Sequence, residues 1–173
     1  MAAAVYAVTV QTFVSMLGSL SQILDKAAAD PKAGQLVEAR LAPDMFPLSV
    51  QIKLACDFAL KGACLLADQP PPASDDPGAT LADLRAFIAA TITALQAMPE
   101  SRFDGASART FTIPLQGDMV LELDGLAVAR DWTLPNFYFH VVTAYDILRH
   151  EGLQIGKQDY LAHIGPMIRT PAA

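Results

Sequence analysis

Residues 132–160 read WTLPNFYFHVVTAYDILRHEGLQIGKQDY. Phe137, Val141, Ala144 and Leu148 recur at three- and four-residue steps, the period of one helix face. Pro135 falls in the first turn, where a missing N–H costs little. Arg149 and His150 stand near the negative end of the helix dipole, and Gly152 supplies the stop. The spacing therefore predicts a helix from about Thr133 to Gly152. An aromatic cluster and two of the three histidines of the chain, His140 and His150, lie in the same stretch. Any binding or catalytic site is expected to involve it.

Three earlier segments show the same period. Val10, Phe13, Leu17, Leu20 and Leu24 trace one face of a helix over about 4–29, closed by Asp30-Pro31 and Gly34. Leu48, Ile52, Cys56, Ala59, Ala63 and Leu66 trace a second, with Asp44 placed to cap it and Pro47 in its first turn. Leu81, Leu84, Ile88, Ile92 and Leu95 trace a third. Thr80 and Asp83 form a capping box at its start, and Pro99 ends it. The Pro-rich acidic stretch from Gln69 to Ala79 reads as a solvated connection within one domain.

Between the third and fourth helices the period changes to two. Phe111, Ile113 and Leu115 alternate with polar residues, Gln116-Gly117-Asp118 reads as a turn, and Val120, Leu121 and Leu123 follow. Asp124-Gly125 is a second turn signal before LAVAR, so the excursion has two or three strands. So small a sheet has to lean on the helices. A short last helix is expected around Lys157–His163. The fold class is all-α: a four-helix bundle with a small β-hairpin excursion, one domain over residues 1–173.

Composition bounds the function. The chain of 173 residues is 53% apolar and only 17% charged, against roughly 25% charged in an ordinary soluble domain. The surplus apolar surface implies an extensive interior or a partner, and a homodimer is the commonest partner. A net charge of −6 with no Lys/Arg cluster argues against nucleic-acid binding. The apolar N-terminus lacks a basic leader, and Thr9, Gln11, Thr12 and Ser15 interrupt any membrane span, so a cytoplasmic, non-membrane protein is expected. Cys56 and Cys64 on one helix stand roughly 12 Å apart at 1.5 Å per residue, too far for a disulfide. They read as small packing residues.

The order of helices and hairpin resembles the DinB-like (YfiT-like) bundle superfamily. ARLAPDMFPLSVQ (39–51) and LPNFYFHVVTAYDILRHEGLQIGKQDYL (134–161) resemble a bacterial branch of it known only as a domain of unknown function. In metal-binding members of the superfamily, one histidine of the second helix joins two histidines four residues apart on the fourth. That spacing puts both imidazoles on one helix face. Here the second helix carries Gln51, Lys53 and Asp57 and no histidine, and His140 is flanked at four residues by Asn136 and Ala144. The resemblance therefore implies the fold without the metal site, and no cofactor is expected.

The candidate ligand-binding residues are His140, Asp44, Gln51, Asn136 and Arg40. His140 reads as a ligand contact or general base, or as a buried imidazole held by a polar partner; Asp44 and Gln51 are the leading partners. Asn136, His140 and Thr143 share an edge of their helix. Asp44 reads as a cap or as a site carboxylate, Arg40 as an ion pair or an anion contact. Asp146 and Arg149 are spaced for a surface pair, and His163 is expected in solvent. Trp132 roofs a pocket or fastens the hairpin. Gly156-Lys157 lacks the rest of a phosphate loop, and no nucleophile elbow, HExxH or CxxC occurs. The function expected is that of a small-ligand-binding or interaction protein without a bound transition metal. The alternative is a metal-dependent enzyme of the thiol-transferase type, using His140 with non-histidine ligands.

Overall fold

The computed structural model describes residues 2–73 and 76–169; Ser74 and Asp75 of the Pro-rich connection lie outside it. The first helix, α1, runs through Ala2–Tyr6, a π turn over Ala7–Gln11 and Thr12–Ala28. Helices α2 (Leu48–Leu66) and α3 (Leu81–Gln96) follow, then the strands β1 (Thr110–Pro114) and β2 (Val120–Asp124), then α4 (Leu134–His150). Helix α2 packs most extensively on α4, α1 on α3, and α3 on α2, while α1 closes the ring against α4. This is the expected four-helix bundle.

The apolar stripes meet in one core. Leu17, Ile52, Ile88 and Val141, one from each helix, are all buried. Phe13 of α1 meets Phe137 of α4 edge to face, with ring centroids 4.8 Å apart. The span Ala4–Ala28 is long and apolar enough to cross a membrane by length and composition, yet its apolar face is the one packed into this core.

Local signals fix some helix ends and tertiary contacts fix others. Thr80 and Asp83 form the expected capping box. Gly152 (φ +96°) ends α4 in the left-handed conformation. Asp44 does not cap α2: it lies exposed in a turn, and the N-cap position belongs to Pro47. The first amides of α2 are satisfied instead by backbone from the preceding segment, Leu48 N–H to Ala39 C=O (2.9 Å) and Ser49 N–H to Val37 C=O (3.1 Å). These carbonyls complete the helix end without any side chain.

The hairpin has two strands, paired Phe111 to Leu123 and Ile113 to Leu121. Phe111 is buried against the bundle, and Arg109 lies over its ring while donating to the Leu66 carbonyl at the end of α2. The third strand considered for LAVAR is absent. Asp124 instead accepts from Ala127 N–H (2.8 Å) and starts a helical segment, Gly125–Ala127, which runs through a π turn, Val128–Thr133, into α4. Gly125 is required there, since a Cβ would lie 2.0 Å from the Ala106 carbonyl oxygen. The same Asp-Gly pair that suits a hairpin turn also suits a helix start, and the burial of Val128 and Ala129 decides for helix.

The short final helix forms over Lys157–Tyr160 and is held to α1 by Lys26–Asp159 (2.6 Å). His163 is not free in solvent: its Nδ1 meets Ser19 Oγ at 3.2 Å. Arg149 donates to the Leu153 carbonyl, in place of the Asp146 pair expected from spacing.

Candidate functional site

Where α2 and α4 cross, His140 and Gln51 meet. Both are buried, at 8% and 2% exposure, and His140 Nδ1 lies 2.8 Å from Gln51 Oε1. Gln51 Nε2 in turn donates to the Phe46 carbonyl at 3.2 Å. The chain of bonds has one consistent polarity. The amide nitrogen of Gln51 is committed to a carbonyl, so its oxygen faces the imidazole, and Nδ1 carries the proton. Nε2 then bears a lone pair, and among the described residues it has no protein partner.

Aromatic rings enclose this imidazole. Phe58 stacks on it at 5.5 Å with planes 17° apart, and Phe139 meets it edge-on at 5.3 Å. Desolvation among these rings pushes the His140 pKa below its ordinary value, so the ring is neutral at pH 7. A neutral imidazole with a fixed tautomer can accept a hydrogen bond or a proton at one defined atom.

The other candidates make no bond to this pair. Asn136 donates to the Trp132 carbonyl (2.7 Å) and Thr143 to the Phe139 carbonyl (2.7 Å), both within their own helix. Arg40 is exposed and donates to the Met45 carbonyl (2.7 Å), serving the loop before α2 instead of an ion pair. Of the five residues, the fold brings together His140 and Gln51 alone.

The chain matches the model of a domain of unknown function, DUF1993, over residues 5–161. It belongs to the DUF1993 family. It is also similar to the crystal structure of a DinB family member protein from Shewanella denitrificans, at 40% identity and a TM-score of 0.84. The match covers 92% of this chain and 93% of that one. No curated protein matches the chain.

The DUF1993 chain can be tested for the metal that its superfamily resemblance raises. A transition-metal site takes three or four protein ligands. At the α2–α4 crossing one imidazole nitrogen is available, and the adjacent amide oxygen already accepts the hydrogen bond from His140 Nδ1. Asn136 and Ala144 stand four residues either side of His140, where the superfamily resemblance would call for an imidazole. Among the described residues no group of three or more His, Cys, Asp or Glu is placed to hold an ion. The donor set does not fit a resident transition metal.

Sequence reading missed Phe58 and the Gly62–Thr133 contact. Phe58 lies between the apolar stripe and the polar face of α2, so periodicity gave it no role. Trp132 does more than fasten the hairpin: with Phe58, whose ring it meets at 6.5 Å, it walls a groove between α2 and β1. Cys56 and Cys64 are free and buried, and burial pushes the Cys56 thiol up to about 12, which makes it inert.

Proposed function

We propose that this DUF1993 protein binds a small molecule without a transition metal, and that His140 makes the decisive polar contact. The observation that carries this reading is the unpartnered Nε2 of a neutral imidazole, held in one tautomer by Gln51 and surrounded by Phe58 and Phe139. Structural packing alone would be served by an apolar residue at lower desolvation cost. The lone pair selects ligands that carry an N–H or O–H donor. We propose further that the protein works as a homodimer. Phe46 and Phe139 are 57% and 58% exposed, apolar area of the kind a second copy covers.

A thermal-shift screen of hydroxyl- and amide-bearing compounds tests the function. Compounds that stabilise the wild type are expected to lose that effect in His140→Ala, provided the variant keeps its helical spectrum. Hits that stabilise both proteins equally refute the role of His140. About one equivalent of transition metal in untagged protein refutes the metal-free reading. Light scattering of the eluted protein gives the oligomeric state.

A further inference from the structure

The groove under the hairpin is a second site, separated from His140 by the Phe58 ring that the two share. It encloses about 550 Å³ between the C-terminal half of α2, strand β1 and the π turn before α4, within the range of small-molecule pockets. None of the five residues singled out above lines it. Phe58 and Trp132 form an edge-to-face corner, 70° between planes, and Leu65, Ile113 and Pro114 supply further apolar lining.

Thr133 lines the same groove, is 1% exposed, and its hydroxyl has no hydrogen-bond partner among the described residues. Thr9, Thr91, Thr93 and Thr143 each donate to the carbonyl four residues earlier in their helices. For Thr133 that carbonyl is Ala129, which accepts from the Leu134 amide across the π turn and takes no bond from the Thr133 hydroxyl. The turn is pressed against α2 at Gly62, where a Cβ would lie 2.1 Å from Thr133 Cγ2. A buried hydroxyl without a partner is destabilising, and π turns recur at functional sites. The orphan stands beside an aromatic corner with room for a ligand.

We infer that this groove binds a flat, uncharged aromatic molecule of two or three rings carrying one hydrogen-bonding substituent. The rings lie against Phe58 and Trp132, where ring–ring contact adds to simple burial. The substituent meets the Thr133 hydroxyl, which reaches it by the χ1 exchange open to a helical threonine. Charge is disfavoured because the groove is lined mainly by apolar side chains, and Lys61 at its rim is already paired with Asp57 (3.1 Å).

Trp132 is the chain's single tryptophan, so its emission reports the groove. The probes are 2-naphthol, naphthalene and octanoate, titrated into the wild type, Thr133→Val, Leu65→Phe and His140→Ala. Saturable quenching by 2-naphthol is expected, with octanoate weaker. Thr133→Val is expected to weaken 2-naphthol about two- to tenfold, the worth of one hydrogen bond, and to leave naphthalene unchanged. Leu65→Phe, shown folded by circular dichroism, is expected to fill the groove and abolish both. His140→Ala removes the ring stacked on Phe58 but no lining of the groove, so it is expected to weaken 2-naphthol far less than Leu65→Phe does. Equal loss in the two variants overturns the placement of the ligand in the groove. Absence of saturable quenching, or indifference to Leu65→Phe, overturns the site. Octanoate binding tighter than 2-naphthol overturns the ligand class, and an unchanged 2-naphthol affinity in Thr133→Val overturns the hydroxyl contact.

Discussion

Replacing Gln51 by Leu probes the α2–α4 crossing most directly. The side chain is 2% exposed and makes two bonds, accepting from His140 Nδ1 and donating to the Phe46 carbonyl. Leucine is close in volume but can do neither. His140, itself buried, is then left with an unpaired N–H, which costs about 1–3 kcal/mol. The Phe46 carbonyl belongs to an exposed loop residue and recovers water, so it adds little. The apolar gain of leucine offsets up to about 1 kcal/mol. The midpoints of the two ranges, about 2 and about 0.5 kcal/mol, leave a net loss of about 1.5 kcal/mol, or about 3–6 °C in Tm at 2–4 °C per kcal/mol for a chain of this size. The decisive measurement is a double-mutant cycle with His140→Phe by urea unfolding. If the relay exists, Gln51→Leu costs much less in the His140→Phe background, with a coupling energy of about 0.5–3 kcal/mol. Additive losses, or a Gln51→Leu variant as stable as the wild type, refute the relay and with it the fixed tautomer of His140.

Three further outcomes are expected. His140 has a folded-state pKa below its unfolded value of about 6.5. Its contribution to stability is therefore complete above that pH and is lost as pH falls through the folded pKa, and His140→Phe is expected to flatten this part of the pH–stability curve. Truncating Leu17, Ile52 or Ile88 to Ala is expected to cost about 2–5 kcal/mol by urea unfolding, because each side chain is fully buried. A loss below about 0.5 kcal/mol at two of the three contradicts the packing described. Cys56, buried and with its thiol at about 12, is expected to react with a thiol reagent only on unfolding; rapid labelling of native protein at that position contradicts its burial.

The sequence by itself determined the helices and the faces they bury, because a 3.6-residue period is a local property. Leu17, Ile52, Ile88 and Val141 lie where their stripes put them. The Thr80–Asp83 cap was equally legible, since both halves of the box lie within one turn. Tertiary structure decided whatever depended on distant backbone. The start of α2 looked like a task for Asp44, but the carbonyls of Val37 and Ala39 perform it, and a sequence does not show where a carbonyl will point. Asp124-Gly125 and LAVAR carried signals for either a turn and strand or a capped helix, and packing against the bundle chose the helix. His140 could be named as the residue to watch, and Gln51 as one of two partners. Selecting Gln51 took the α2–α4 crossing, which joins positions 89 residues apart. Of the groove, the sequence offered only Trp132 as a residue that could roof a pocket. Its walls come from α2, β1 and a π turn, and the unpaired Thr133 hydroxyl belongs to that turn. Side-chain pattern encodes which face is apolar; where three separate elements leave a gap between them is set only when they pack.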